Sequence, residues 1–287
     1  MGAGGGAGGA GGAGARGGGG GAPGAAAAAT PGRRGGGIAL DLRRGKSSKK
    51  LLEIEWTHPV HKPAEPKEPA KPGTTVAGTV ERALPPEEAW LLVADGDKRP
   101  LLVMRECELC KGSDHALLNR SLDNEQTVLL THWFRCVKLP PNVIEEKHPL
   151  HALFQRSKEG EPIPHLFFAN ADGSNRTPLP GDQSQSQLWE VMFGYLENCY
   201  EGDAKKCIKE LRALLSDFDT VDALEQELKV RMDKELEKNG PESPKLKKLV
   251  EDQEQFRKRR EKISAREKEL RAQVRLESEG KPAAATK

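Results

Sequence analysis

The first 37 residues confine any folded body to the rest of the chain. They hold 19 of the protein's 31 glycines, mixed with alanine, and contain neither a carboxylate nor an aromatic ring. Such a stretch cannot bury enough apolar surface to offset the entropy of ordering it. The aromatic side chains, only 5% of 287 residues, concentrate between Trp56 and Tyr200. Length alone would suggest roughly two domains. The composition predicts one globular domain instead, between a disordered head and a charged helical tail. The expected boundaries are residues 1–78 for a Gly/Ala-rich and Pro-rich linker, 79–202 for the domain and 203–287 for the tail.

Charge narrows the partners. Forty-five basic side chains against 43 acidic ones leave a net charge of +2, which makes no global electrostatic case for nucleic acid. No run approaches the roughly 18 apolar residues of a membrane span. The N-terminus lacks the basic-then-apolar layout of a secretory signal. Met1-Gly2 opens like a myristoylation site, but Gly6 stands where Ser or Thr is required. The expected compartment is cytoplasmic, where thiols stay reduced. Five unevenly spaced cysteines do not make a disulfide framework.

Within the linker, Arg43, Arg44, Lys46, Lys49 and Lys50 read as a solvated charge run. The alternation of Leu52, Ile54 and Trp56 with Glu53 and Glu55 fits a short strand or a docking peptide. Prolines at 63, 66, 69 and 72 match the polyproline II turn, the pattern of a semi-rigid spacer.

From about Thr79 the pattern turns globular. Pro85-Pro86-Glu87-Glu88 opens a helix that runs to Ala94. Pro100 to Met104 is a short apolar run of the kind a buried strand shows. Cys107-Glu108-Leu109-Cys110 leads into an expected helix through Asn119, and Asn124 to Leu130 into another helical turn or two. Trp133 to Leu139 forms a second strand candidate, followed by a helical stretch near His148 to Arg156. His165 to Ala169 and Arg176 to Leu179 flank the hairpin signal Asp172-Gly173. Gln187 to Tyr200 places Leu188, Val191, Met192, Tyr195 and Leu196 on one helical face. Strands separated by helices predict a layered α/β domain, a three-layer sandwich with helices on both faces of a central mixed sheet. Beyond Gly202 two helices are expected, broken at Asn239-Gly240-Pro241. In the second, Leu249, Phe256, Ile263 and Leu270 recur every seven residues, while Gln253, Arg260 and Glu267 occupy the positions a partner seam would want apolar. A helical hairpin and a lone charged helix both remain open for this extension.

Cys107 and Cys110 carry the sharpest chemistry. At a helix start the two sulfurs lie on one side, about one turn apart. The unpaired N–H groups there favour a thiolate at the first cysteine. Such a thiolate can attack a substrate disulfide and the second thiol resolve the mixed disulfide; an inert relic of the fold or a structural pair is the alternative reading of the two cysteines. Glu106 and Glu108 oppose thiolate formation, whereas Lys111 and the helix terminus favour it.

The run Arg99-Pro100-Leu101-Leu102-Val103 to Cys110-Lys111 resembles the thioredoxin superfamily. It is most similar to the thioredoxin-like domains that carry an extra helix before the first core strand, such as the C-terminal domain of thiol:disulfide interchange reductases. Phe134 to Leu139 matches the next strand, Ile163-Pro164 before His165-Leu166-Phe167-Phe168 the cis-proline segment, Asp172-Gly173 the hairpin, and Gly181 the turn before the last helix. The likeness spans residues 79–200. It implies a thioredoxin-like fold with no cofactor, Cys107 as nucleophile and Cys110 as resolving thiol. It also implies a protein thiol or disulfide as substrate, bound by the backbone beside a cis Pro164 with Ile163. Three positions depart from the family: Glu106 replaces the usual Trp, Glu108-Leu109 replaces Gly-Pro, and Leu101 stands where thioredoxins keep a buried acid.

Cys-x-x-Cys also occurs in zinc sites, which need four ligands. Only His115 and Cys136 offer themselves, and no second Cys-x-x-Cys exists, so no metal is expected. His165 is a candidate base for Cys110. His132, His148 and His151 form no catalytic constellation. The alternative class is a non-catalytic interaction protein whose tail, residues 203–277, binds a protein partner.

Overall fold

The computed structural model describes residues 44–61, 83–106, 114–118, 123–155 and 162–276. The Gly/Ala head, the prolines at 63–72, and Cys107 and Cys110 lie outside the described residues. The remainder is an α/β protein with a mixed five-stranded sheet and a C-terminal helical region.

The elements in chain order are α1 (Lys46–Leu51), β1 (Trp56–Thr57), α2 (Pro86–Ala94), β2 (Leu101–Arg105), α3 (Glu125–Thr131), β3 (Arg135–Leu139), β4 (Leu166–Ala169), β5 (Thr177–Leu179), α4 (Gln185–Cys199), β6 (Tyr200–Glu201), α5 (Ala204–Asn239), α6 (Pro244–Gln273) and β7 (Arg275–Leu276). The sheet order is β1-β3-β2-β4-β5. β1, β3 and β2 run parallel, β4 is antiparallel to β2, and β5 to β4. The sheet thus takes in residues upstream of position 79, the expected start of the domain. Trp56 pairs with Cys136, and the Thr57 hydroxyl donates to the Cys136 carbonyl at 2.9 Å.

The central strands alternate between two cores, as a period of two requires. Leu102, Met104, Cys136, Leu166 and Phe168 face a cluster completed by α3 and α4. Leu101, Val103, Val137, Leu139, Phe167 and Ala169 face the other, closed by Ala89 and Val93 of α2. The stretch expected as a helix near 148–156 is instead a 3-10 turn at His151–Phe154, after another at Pro141–Ile144. Pro140, Pro141 and Pro149 withhold the N–H groups a longer α-helix would need. Their apolar members Val143, Leu153 and Phe154 still close the second core.

The β4–β5 hairpin turns at Gly173, whose φ is +83° and whose Cβ, were it present, would lie 2.4 Å from the Trp90 ring. Only glycine fits there. β5 carries Pro178 at the sheet edge, where a missing donor costs no ladder bond. α4 starts on a capping box in which the Ser184 side chain and the Gln187 side chain each accept from the other's backbone N–H.

The helical region is not set apart from the sheet. Ala204, Cys207, Ile208, Leu211 and Leu215 of α5, with Leu270 of α6 and Val274, complete the first core. The Tyr200 hydroxyl donates to the Trp133 carbonyl. α5 and α6 form the hairpin, held by Phe218, Val221 and Ile263. Arg260, at a seam position that wanted an apolar residue, pairs instead with Asp222 at 2.7 Å and Glu225 at 2.5 Å. Of the residues read as a solvated basic run, Arg44 to Lys50 form α1 and its lead-in. Arg44 binds Glu125 at 2.6 and 2.8 Å and Asp219 at 2.7 Å, and the Ser48 hydroxyl donates to the Leu215 carbonyl at 2.8 Å. Among the described residues no helix is long and apolar enough to cross a membrane.

Two outcomes follow from this packing. Leu211 is wholly buried against the sheet side of α5, whereas Leu236 near the hairpin tip is 48% exposed. Leu211→Ala should cost about 2–5 kcal/mol in urea unfolding of the whole chain, and Leu236→Ala within about 0.5 kcal/mol. An unchanged main transition in Leu211→Ala would mean that α5 does not share the domain's core. The second outcome concerns His132, after α3, whose pKa burial pushes down from 6.5 to about 4, with Arg271 nearby acting in the same direction. The unfolded chain protonates this ring near its ordinary value and the folded chain resists until about 4. Protonation therefore favours unfolding: stability is full above about pH 6.5 and falls by roughly 2–3 kcal/mol towards pH 4. Asp97, Asp219 and Asp222, all held below the ordinary 3.8, lose their contribution only at lower pH. Denaturant titrations between pH 7 and pH 4 should show this slope in the wild type and a flatter one in His132→Gln.

Candidate functional site

A hollow of about 380 Å³ opens at the C-terminal end of β2. Glu106 and Asp114, the described residues on either side of 107–113, both line it, and so do Ile163 and His165 from the segment leading into β4. Pro164 is buried between them. The chain that brackets the Cys-x-x-Cys pair and the Ile163-Pro164 segment are therefore brought to one cavity, although far apart in sequence.

Backbone pairing fixes the rim. Past the ladder, the Arg105 N–H donates to the His165 carbonyl at 2.9 Å and the Glu106 N–H to the Leu139 carbonyl at 2.8 Å. The end of β2 is thereby tied on both sides. Asp114 opens a single hydrogen-bonded turn through Leu118, where the sequence predicted helix to Asn119. Its carboxylate accepts from the Lys138 ammonium at 2.6 Å and from the Trp56 indole N–H at 3.2 Å, and the same ammonium lies 4.7 Å from the Trp56 ring centre. The side chains of β3 and β1 thus hold the chain where it re-emerges after the cysteines. On the opposite rim the Gln183 amide donates to the Ala116 carbonyl at 2.6 Å and accepts from the Gly181 N–H at 2.9 Å. Asp114, Lys138, Trp56 and Gln183 are site residues that sequence reasoning missed, since each acts through a partner distant in the chain. Lys138, set between the buried Val137 and Leu139, was the one local signal.

His165 is half-buried. Burial and the Arg105 charge push its pKa down, while Asp182 pulls it up. Two of the described thiols, Cys136 and Cys207, are poor nucleophiles. Burial pushes Cys136 up to about 12 and Cys207 up to about 11. Cys136 donates to the Thr131 carbonyl at 3.6 Å and Cys207 to the Leu270 carbonyl at 3.1 Å. Cys199 is half-buried beside the Asn170 side chain at 3.7 Å. Among the described residues no group of three or more His, Cys, Asp or Glu stands together as a metal site. His115 lines the hollow, and Cys136 belongs to the sheet core.

Comparison of the chain with protein-family models, with curated proteins and with solved structures finds no match.

Gly181 holds the rim at φ +102°, and a Cβ there would lie 2.9 Å from the Cβ of His165. Gly181→Ala should lower stability by about 1–3 kcal/mol and move the His165 ring, seen as a changed imidazole NMR shift. Unchanged stability and an unchanged shift would mean that this contact does not hold the rim.

Proposed function

We propose that the chain carries a thioredoxin-like domain that acts in thiol–disulfide exchange through Cys107 and Cys110. The observation that carries the reading is the shared hollow, where Glu106 and Asp114 on either side of the dithiol segment meet Ile163 and His165. The mixed sheet with two cores, its hairpin at Asp172-Gly173 and its last domain helix after Gly181 support the same reading. The raised pKa values of Cys136 and Cys207 are consistent with exchange chemistry elsewhere in the chain.

In the proposed cycle the Cys107 thiolate attacks one sulfur of a substrate disulfide. The substrate S–S bond breaks, a mixed disulfide forms, and the released substrate sulfur takes a proton. The Cys110 thiolate then attacks the Cys107 sulfur, forming the Cys107–Cys110 disulfide and freeing the second substrate thiol. Two electrons pass from the dithiol to the substrate, and a dithiol reductant regenerates the pair. His165, held towards its neutral form by burial, is the candidate proton acceptor for Cys110. The same proposal assigns the protein to the cytoplasm, where thiols stay reduced.

One observation favours a second reading, an interaction protein whose helices bind a partner. A groove of about 1980 Å³ runs along α1, α5 and α6, lined by charges of both signs and by Leu228, Met232 and Val250. Mass spectrometry of the alkylated protein after mild oxidation separates the two. The exchange reading predicts a Cys107–Cys110 disulfide that forms reversibly in glutathione buffers and is absent in Cys107→Ser. Independent alkylation of both thiols under all oxidising conditions would overturn it and favour the binding reading.

A further inference from the structure

We infer that Arg105 is an acid-recognising residue of the hollow, and that the polypeptide bound there carries an acidic side chain beside its cystine. That the ligand is a cystine-bearing chain rests on the exchange reading; that it is acidic rests on Arg105 itself. Arg105 ends β2 and lines the hollow. Its Nε is fully buried and has no hydrogen-bond partner. Burial is the one influence on its proton affinity, which it lowers. A guanidinium remains charged in such a place, and an unpaired buried donor is costly. None of the neighbouring described carboxylates pairs with it. Lys138 is neutralised by Asp114 at 2.6 Å, Asp182 acts on His165, and among the described residues neither Glu106 nor any other carboxylate forms an ion pair with Arg105. Among the described residues lining the hollow, Arg105 is thus a cation with no carboxylate in ion-pair contact, two positions before Cys107.

The surroundings favour a chain over a free small anion. A second hollow of about 410 Å³, lined by His58, Val60, Pro140 and Asn142, shares Glu106 and Lys138 with the first. The two hollows lie on either side of those shared residues at the end of the sheet. Val60, 72% exposed, offers an apolar contact in the second. An extended peptide can use both hollows, with its carboxylate on the guanidinium in a charge-assisted pair.

The test is direct binding to the full chain, read by fluorescence anisotropy. The probes are short labelled peptides in which serine replaces the cystine, with Glu-Ser or Gln-Ser at the centre. The Glu peptide should bind about tenfold more tightly at low salt, less so as salt rises. Arg105→Gln should abolish the preference and Arg105→Lys should keep part of it. A guanidinium needed only for folding would lower Tm on replacement, whereas Arg105→Gln should hold or raise Tm by removing the buried unpaired Nε donor. Equal affinities, a preference that survives Arg105→Gln, or no binding of either peptide would overturn the inference. Competition by free glutamate as effective as by the peptide would overturn its polypeptide part. Serine peptides cannot exchange, so none of these outcomes depends on Cys107 or Cys110. Inert cysteines with the preference intact would remove the exchange reading and leave the acid site.

Discussion

Leu101 to Met104 are buried on both sides of the sheet, and the other elements take their places from that strand. β2 is bonded in parallel to β3 and antiparallel to β4. No water reaches its backbone donors and acceptors, so each must find a partner in the flanking strands. Its alternation sends Leu102 and Met104 into one core and Leu101 and Val103 into the other. A slip of one residue would exchange the two sets and mismatch both layers. The register also determines what stands at the strand's end: Arg105 and Glu106, held between His165 and Leu139.

Function is proposed at that end because the sheet's polar groups run out there. On either side of residues 107–113 the chain is clamped, by the Glu106 backbone before and by Asp114 after. Gln183 joins the Asp114 turn to the Gly181 corner. These ties draw on β1, β3 and the loop before α4, so the hollow is a product of the whole sheet. The helical region stabilises it at one remove, since α5 and α6 close the core beneath α3 and α4.

Much of this was legible in the sequence because it is local. Apolar runs marked β2, β3 and β4, Asp172-Gly173 marked the hairpin, Pro86 the start of α2, and Asn239-Gly240-Pro241 the break between the long helices. What escaped depends on partners far away in the chain. Arg43, Arg44, Lys46, Lys49 and Lys50 read as a solvated run, yet Asp219 and Glu125 hold Arg44, and Asp222 holds the Ser47 N–H, so that α1 is docked. Arg260 looked like a flaw in an apolar seam until Asp222 and Glu225 met it from α5. The 3-10 turns at 141–154 had helical spacing but too few N–H donors. At the site, Ile163, Pro164 and Cys107-x-x-Cys110 were legible as motifs, and the structure brings Ile163 to the residues that bracket 107–113. Arg105 and Asp114 gave no such signal, because their meaning lies in a missing partner and in a lysine two strands' length away.

The central claim is that a substrate chain joined to Cys107 lies across the Ile163-Pro164 segment. The most direct measurement is hydrogen–deuterium exchange on a trapped mixed disulfide, formed between the full-length Cys110→Ser protein and a peptide disulfide. The account predicts one adduct, on Cys107, and slowed exchange in the segment spanning 162–166. Adducts on Cys136, Cys199 or Cys207, or protection confined to the α5–α6 hairpin, would contradict it.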